Sequence, residues 1–289
     1  MSKKASTKVK KASEVNVNTI TFNEPKKLPN GGNMVYVNGF DSLYVQTPKV
    51  NVLWDTKFYA GDKPESGKYP VQFSITDMEN NASMKEFYDM VASMDTRIVD
   101  YAYENRKEWF GAKFSKTIKE TIENLYNPMI KISTDEETGE PNGKFPPRFA
   151  FKINKYDNVH QCKVYDSNRK LFNIDYPDKD DYKSLSEDVL VKGASMSVVL
   201  KCNGIWIING KFGCTWRAEQ IKVKVPEKAI SGYAFRDEDD EDDMDVVSDS
   251  NDKVEHELES DSDSDSDSDD EDTEIVEKTV KKRGGVKKE

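Results

Sequence analysis

The sequence has little histidine and cysteine, and it lacks the short motifs that mark common catalytic sites. Only two histidines and three cysteines occur among 289 residues. No glycine-rich loop ends in Gly-Lys-Ser/Thr, and the chain has no Gly-x-Gly-x-x-Gly after a strand, no Gly-x-Ser-x-Gly and no His-Glu-x-x-His. We therefore expect a protein that is not an enzyme and that uses no cofactor.

The cysteines also bear on the cellular compartment. Cys162, Cys202 and Cys214 are an odd number in a long chain, which argues against a disulfide framework and favours a reducing environment. A zinc site would require these thiols and His160 to meet by tertiary coincidence, and we expect no metal. Because no apolar run approaches the roughly 20 residues that cross a bilayer, we expect a soluble intracellular protein without membrane contact.

Charge is distributed unevenly along the chain. Residues 237–277 hold 23 acidic side chains and one lysine, whereas residues 278–289 hold six basic side chains and one acidic one. The formal net charge of −11 thus divides into −22, +5 and, for residues 1–236, +6. Residues 1–236, called the body here, are therefore mildly basic and are linked to a polyanion. This polyanion can bind the same cationic side chains of the body as an anionic ligand would.

Composition sets the expected domain boundaries. The lysine-rich residues 1–14 predict a disordered basic arm, residues 15–235 one folded domain, residues 236–277 a disordered acidic tail and residues 278–289 a basic terminus. The tail has three physical uses: it competes with DNA for a cationic groove, attracts basic proteins, or is phosphorylated in its Ser-Asp repeats. A purely solubilising tail is the alternative.

Hydrophobic periodicity predicts a mainly β domain with a helical insertion, an α+β fold. Apolar alternation indicates strands before residue 77 and again after residue 128. Between them, at about 84–126, an apolar stripe at spacings of three and four predicts two amphipathic helices, with a capping box at Ser83 and Glu86. These helices are expected to cover the sheet.

The stretch from residue 194 to residue 225 is the most strand-like. It contains Asn203-Gly204 and Asn209-Gly210 between β-branched and aromatic runs, and Asn-Gly favours tight primed turns. We therefore predict a three-stranded antiparallel meander. An antiparallel sheet with one buried face and one basic, aromatic face is what an OB-fold-like barrel uses to hold a single nucleic-acid strand, and we expect an OB-fold-like antiparallel barrel.

Cations interleaved with aromatic residues support that function. Rings stack on bases, at about 1–3 kcal/mol per base, and cations pair with phosphates. The plainer interpretation is that Trp and Phe are core residues and the lysines are merely solvated. The candidate DNA-binding residues are Arg148, Lys152, Lys163, Tyr165, Lys201, Trp206, Lys211, Phe212, Trp216, Arg217, Lys222 and Lys224.

Two stretches resemble a known family. Residues 204–223 (GIWIINGKFGCTWRAEQIKV), residues 126–132 (YNPMIKI) and the acidic tail are similar to the single-stranded-DNA-binding proteins of nucleo-cytoplasmic large DNA viruses, the giant viruses. Those proteins are distantly similar to phage-type single-stranded-DNA-binding proteins. The resemblance implies an OB-fold barrel with a helical insertion, a basic and aromatic DNA groove, and a tail that regulates access and recruits replication or recombination proteins. Related phage-type tails tend to end in acidic residues with a terminal aromatic residue, whereas this sequence ends in KKRGGVKKE, so a contact of the tail with a polymerase is not carried over from the resemblance.

The expected function is therefore non-enzymatic binding of single-stranded DNA in viral replication, repair or recombination. The expected location is the cytoplasmic viral factory or the nucleus of an infected cell, and homo-oligomerisation is left open. The alternative is an acidic-tailed chaperone or scaffold that binds histones or other basic proteins. An oligo-dT titration compared with a basic protein as ligand separates the two.

Overall fold

The computed structural model describes residues 9–29, 31–38 and 42–226. Within them the chain forms one sheet of fourteen strands and three α-helices. The strands are β1 (Lys10–Lys11), β2 (Lys26–Lys27), β3 (Asn33–Val35), β4 (Tyr44–Gln46), β5 (Val50–Asn51), β6 (Tyr59–Ala60), β7 (Gly67–Ser74), β8 (Tyr126–Asn127), β9 (Ile130–Lys131), β10 (Arg148–Tyr156), β11 (Val159–His160), β12 (Lys163–Tyr165), β13 (Ser195–Ile208) and β14 (Lys211–Lys224). The helices are α1 (Ala82–Glu104), α2 (Arg106–Phe110) and α3 (Lys119–Glu123), with 3-10 turns Ala12–Glu14, Val17–Thr19 and Ala112–Phe114 and a π-helical turn Leu185–Val189.

The main path of the sheet is β1-β4-β13-β14-β10-β7-β6. The long strands β13 and β14 pair antiparallel along their whole length, and β10 pairs antiparallel with β7. The contact between β10 and β14 is parallel and joins Lys152 to Arg217. The segment that forms β8 and β9 lies beside both, since β8 pairs with β14 and β9 with β10. The expectation of a mainly β fold with a helical insertion is confirmed.

The predicted closed barrel is not formed. Closure would require a ladder between β5, which pairs with β13, and β7, which pairs with β10. These strands are joined only by an isolated bridge between Val52 and Phe73 and by one hydrogen bond, from the N–H of Leu53 to the carbonyl of Gln72 at 3.1 Å. Because a barrel needs a continuous ladder around its circumference, the sheet is not closed.

The two Asn-Gly pairs have different roles. Asn209 and Gly210 have φ of 50° and 82° and connect β13 to β14, as the tight primed turn predicted there requires. The turn predicted at Asn203-Gly204 is wrong, because that pair lies inside β13 at a shift in register. The expected three-stranded meander is therefore one long hairpin with two shifts in register, one of them at Gly204.

Gly204 is required at this bulge by space as well as by conformation. Its φ is 122°, and a Cβ at this position would lie 2.6 Å from the carbonyl oxygen of Val35 in the neighbouring strand. A side chain would push β3 away from β13.

The helices cover one face of the sheet, named here the inner face. Alternate residues of the long strands point to it and are buried, among them Phe73 of β7 and Phe149 of β10. The ring of Phe87 in α1 lies 5.8 Å from that of Phe73 and 5.3 Å from that of Phe149. The opposite face of the sheet, the outer face, carries the other half of each strand's side chains.

The apolar stripe predicted for the helical insertion is buried, but the helix boundaries differ. The buried residues of α1 are Met84, Phe87, Met90, Val91, Met94, Ile98, Val99 and Ala102. The helix is capped by Asn81, whose side chain accepts from the N–H of Met84 at 3.1 Å, and not by Ser83. The second helix, predicted at about 114–125, is shortened to α3, because Ala112–Phe114 form a 3-10 turn and Ile118, directly before α3, has an extended backbone.

The last residues of the basic arm predicted at 1–14 belong to the folded domain. Residues 10–14 form β1 and a 3-10 turn, and Ala12 is buried in the core. Residues 1–8, and the acidic tail and basic terminus after residue 226, lie outside the described residues. None of the described helices is long and apolar enough to cross a membrane.

Candidate nucleic-acid interface

Strand register brings three cations together on the outer face. Lys201 of β13 lies opposite Arg217 of β14, and Arg217 lies opposite Lys152 of β10. Tyr44 of β4 lies opposite Lys201, and Pro70 of β7 lies opposite Lys152. Since residues opposed in register lie on neighbouring strands about 4.8 Å apart, Lys152, Arg217 and Lys201 form a cationic row across three neighbouring strands.

Two side chains of this row, Lys201 and Arg217, have partners among neighbouring residues. The Nζ atom of Lys201 lies 5.4 Å from the centroid of the Tyr44 ring, and Arg217 Nε donates to Glu219 Oε1 at 2.8 Å. The Arg217 and Glu219 side chains are 33% and 28% exposed, so this ion pair is partly buried. Like charges opposed across strands destabilise a sheet, so an anion bound along the row would stabilise it.

Trp206 lies on the same face, towards the hairpin turn. It is opposite Gly213 of β14 on one side and Met34 of β3 on the other. A Cβ on Gly213 would lie 2.9 Å from Cζ2 of the indole, so the ring rests on the backbone of β14. Trp206 is half-buried. One part of the indole is therefore fixed by the sheet while another part meets solvent.

A second aromatic and cationic contact lies at the start of β10. The guanidinium carbon of Arg148 is 5.4 Å from the ring centroid of Trp54, which is 48% exposed. Arg148 also lies opposite Lys131 of β9. Trp54 is not among the residues predicted from the sequence, because its partner Arg148 is far along the chain and no local pattern joins them.

The remaining predicted cations also occupy outer positions. Lys163 and Tyr165 of β12 lie opposite Gln220 and Lys222 of β14. The residues between them, Val164 and Ile221, are buried, which places the flanking side chains on the outer face. Lys211 and Lys224, the last two predicted DNA-binding residues with a positive charge, are exposed at the two ends of β14.

Two predicted stacking residues belong to the core. Phe212 and Trp216 are 0% and 2% exposed, so the predicted base contact is wrong for both. The Phe212 ring lies 5.1 Å from that of Phe110 in α2, and Trp216 Nε1 donates to Met129 Sδ at 3.0 Å. Both point to the inner face because they lie an odd number of residues from Arg217 along β14.

Asp95 of α1 ties the segment of β8 and β9 to the helices. One carboxylate oxygen accepts from the hydroxyl of Tyr126 at 2.5 Å and from the N–H of Met129 at 3.2 Å. Burial raises the pKa of Asp95, while these hydrogen bonds and the charge of Lys131 oppose the rise. Burial also raises the pKa of Tyr126 well above its usual value, so its hydroxyl remains a donor. These hydrogen bonds connect α1 to the segment that contains Tyr126 and Met129.

The residues weighed for a zinc site have other partners. Cys202 Sγ lies 3.5 Å from Cys214 Sγ, and both thiols are free and buried. His160 Nδ1 lies 2.7 Å from Asp175 Oδ1, and burial lowers the pKa of this histidine. In the part of the chain that the structure describes, no three His, Cys, Asp or Glu side chains are arranged to hold a metal ion.

Comparison with protein families gives one match. Residues 72–237, more than half of the chain, match a family of unknown function, DUF5871. The chain belongs to this family. The matched region contains β10, β13 and β14, and hence the whole cationic row of this DUF5871 member. A comparison with curated proteins finds no match.

Among solved structures, this DUF5871 member is similar to phage proteins. The single-stranded DNA-binding protein from bacteriophage Enc34, in complex with ssDNA, is 12% identical with a TM-score of 0.36, over 71% of this chain and 96% of that one. The single-stranded DNA binding protein gp2.5 encoded by bacteriophage T7 is 13% identical with a TM-score of 0.38, over 67% of this chain and 98% of that one. Both likenesses are weak, so the function has to be sought in the chain's own surface.

Proposed function

We propose that this protein binds single-stranded DNA on the outer face of its sheet and carries out no catalysis. The cationic row is the observation on which this function rests: three positive side chains at strand spacing, about 4.8 Å apart, on neighbouring strands and away from the helices. A phosphate backbone laid across the strands meets a charge at each of them. Binding then releases counterions and weakens as salt rises.

The aromatic side chains favour an unpaired strand over a duplex. Tyr44 lies at one end of the row, Trp206 beside it and Trp54 near Arg148. Base faces are accessible only in a single strand, and stacking on rings is tolerant of sequence because every base has a π-face. We therefore expect little base preference.

The strand order supports an OB-like architecture that is partly open. The OB fold is a five-stranded, partly open barrel that binds oligonucleotides on its sheet surface. Here the path β5-β13-β14-β10-β7 has five members and one parallel contact, between β10 and β14, and its ends meet at the bridge of Val52 and Phe73. The cationic row crosses the middle of this path.

We extend the proposal to the acidic residues 237–277. Their net charge of −22 competes with DNA for the cations of the body and attracts basic replication, repair or recombination proteins of a viral system. Deleting residues 237–289 is expected to tighten binding of DNA at low salt, with the gain vanishing at high salt because screening weakens the competitor. Equal affinity at low salt would exclude competition by the tail.

The test of the proposal is a titration of the full chain with oligo-dT, followed by tryptophan fluorescence at several salt concentrations. We expect saturable binding, a negative slope of log affinity against log salt, and weaker binding of a duplex of the same length. A histone-like basic protein serves as the competing ligand. Binding of that protein with no response to oligo-dT, even in low salt and after removal of the tail, would overturn the proposal and favour an acidic scaffold.

A further inference from the structure

A short segment of the chain fills a gap between two strands that carry the cationic row. β10 and β14 pair in parallel at Lys152 and Arg217. Nearer to their starts, β10 pairs with β9 and β14 pairs with β8. Residues 126–131, which contain β8 and β9, therefore lie between the two strands at this level of the sheet.

Asn127 of this segment lies on the outer face beside Trp206. It is opposite Gly213 of β14, and Gly213 is opposite Trp206 of β13. Residues opposite each other in register share a face of the sheet. The side chain of Asn127 is therefore the next one across the sheet from the indole that rests on the backbone at Gly213.

Lys131, at the other end of the segment, lies on the outer face beside Arg148. The two are opposite each other in β9 and β10. Arg148 precedes Lys152 by four residues in β10, and residues an even number apart in a strand point to the same face. Lys131 Nζ donates to Asn127 Oδ1, which joins the two ends of the segment. Because an amide is uncharged, this bond leaves the positive charge of Lys131 in place.

These contacts form a second row across the outer face, named here the tryptophan row. It consists of Trp206, Asn127, Lys131, Arg148 and Trp54, in that order across the sheet. At its far end the guanidinium carbon of Arg148 lies 5.4 Å from the ring centroid of Trp54. In β10 and in β14 this row precedes the cationic row by four residues, about 13 Å of strand. The two rows therefore lie side by side.

The chemistry of the tryptophan row fits a stretch of a single nucleic-acid strand. It has an accessible ring at each end, since Trp54 is 48% exposed and Trp206 is half-buried. Between the rings lie two cations in register, Lys131 and Arg148. Like charges opposed across strands destabilise a sheet, so an anion bound between them is stabilising. Aromatic rings stack on base faces, and cations pair with phosphates.

The length of the row determines how a strand is held. From Trp206 to Arg148 the row crosses three strand spacings, about 14 Å, in addition to the contact between Asn127 and Lys131. Stacked bases are only about 3.4 Å apart, so the two indoles contact bases that are not adjacent. The phosphates of the intervening nucleotides then lie next to Lys131 and Arg148.

We infer that the tryptophan row is a second subsite for single-stranded DNA, in which Trp206 and Trp54 stack on two separate bases while Lys131 and Arg148 bind the phosphates between them. This inference rests on the proposed function. It assigns a DNA contact to the inserted β8–β9 segment, and it assigns the two indoles to different bases of the same strand.

The first experiment removes the charges of the tryptophan row. K131Q/R148Q is compared with K107Q/K116Q, a full-length control that loses the same charge at exposed lysines of the helical insertion. Each phosphate contact in a single strand contributes about 0.7 to the slope of log affinity against log salt. We expect K131Q/R148Q to lose about 1.4 from the slope for oligo-dT and the control to match the wild type. K131R/R148K keeps both charges and should restore the slope, which separates a loss of charge from a loss of fold.

The second experiment observes the two rings one at a time. All four tryptophans lie in the described residues, and Trp109 and Trp216 are each 2% exposed. W206F therefore leaves Trp54 as the accessible indole, and W54F leaves Trp206. We expect saturating oligo-dT to quench the fluorescence of both single variants and to leave that of W54F/W206F nearly unchanged.

The results distinguish the inference from the proposed function. If wild-type protein fails to bind oligo-dT, both are overturned. If wild-type protein binds and K152Q/K201Q/R217Q weakens binding, but K131Q/R148Q keeps the slope of the control or W206F shows no quenching, only the inference is overturned. A slope that stays low in K131R/R148K would attribute the loss to the fold and would likewise overturn it. A reduced slope in K131Q/R148Q, its recovery in K131R/R148K and quenching in W206F together are the expected result.

Discussion

The two faces of the β13–β14 hairpin are built from the same strands but differ in how deeply their side chains are buried. On the inner face Trp216 is buried and donates to Met129 in a core shared with the helices. On the outer face Trp206 is half-buried against the backbone at Gly213. The same residue type is therefore fully packed in the core on one face and partly open to solvent on the other.

Cations follow the same division. Arg217 is the immediate neighbour of Trp216 in β14, yet it joins Lys152 and Lys201 on the outer face. Because successive strand residues point to opposite faces, the hairpin separates the charges from the apolar side chains without a change of element. Stability and DNA binding should therefore respond to different substitutions.

Trp216→Ala gives the largest expected effect. Removing a buried aromatic ring leaves a cavity and typically costs about 3–5 kcal/mol of unfolding free energy. Urea unfolding followed by circular dichroism measures the loss. The matched control is Trp206→Ala on the outer face, for which we expect less than half that cost; equal losses from both substitutions would contradict the division between the faces.

The triple substitution K152Q/K201Q/R217Q tests the outer face as a whole. Charge-assisted contacts contribute roughly 1 kcal/mol or more each, so we expect oligo-dT affinity to fall by about 3 kcal/mol, with the salt slope reduced by about 2. The unfolding free energy should stay the same or rise, since opposed like charges are removed. Unchanged affinity would mean that the row does not contact DNA.

Trp206→Ala should weaken DNA binding with little loss of fold. Stacking of one base is worth about 1–3 kcal/mol, which corresponds to roughly a 5- to 150-fold loss of affinity. Fluorescence anisotropy of labelled oligo-dT measures it, because the label does not depend on the protein's tryptophans. Trp206→Phe keeps a ring and should recover most of the affinity; a Phe variant as weak as the Ala variant would argue against stacking.

Asp95→Asn gives the smallest expected effect, and it concerns pH. Burial raises the native pKa of Asp95, so the folded chain binds this proton more readily than the unfolded chain, and Asp95 costs stability above its native pKa. As pH falls from that value to the ordinary carboxyl range, the wild type should gain stability relative to Asp95→Asn. Urea unfolding at several pH values checks the sign; a relative loss on acidification would contradict it.

Asp95→Ala is the control for the hydrogen bonds. Asparagine retains an acceptor for Tyr126 and Met129, whereas alanine leaves both donors without a partner, at a cost of about 1–3 kcal/mol. Equal unfolding free energies for the alanine and asparagine variants would mean that the hydrogen bonds between α1 and the β8–β9 segment do not stabilise the fold.

Much of the fold follows from local patterns. The apolar stripe of α1 and the turn at Asn209-Gly210 are encoded within a few residues, and both are present. The second Asn-Gly pair shows the limit: Gly204 occupies a bulge because the carbonyl of Val35 approaches it, and that contact is remote in sequence. Whether the sheet closes near Val52 and Phe73 likewise depends on strands that are distant in the chain, and no local pattern predicts it.

The candidate site was predictable in part for the same reason. Alternation alone requires Trp216 and Arg217 to point in opposite directions, so they cannot both contact DNA on one face. Which of the two side chains is buried depends on the face of the sheet that the helices cover, and the periodicity of the sequence does not predict that face. The pairing of Arg148 with Trp54, and of β1 with β4, joins residues that share no local pattern.

The most direct test of DNA binding on the outer face is ultraviolet cross-linking of oligo-dT to the full chain, with the adducts mapped by mass spectrometry. We expect adducts at aromatic residues of the outer face, Trp206 and Tyr44 first and Trp54 next, and none at the buried Trp216. Adducts confined to the helical layer, residues 82–123, or found equally at Trp216 and Trp206, would contradict a binding surface on the outer face.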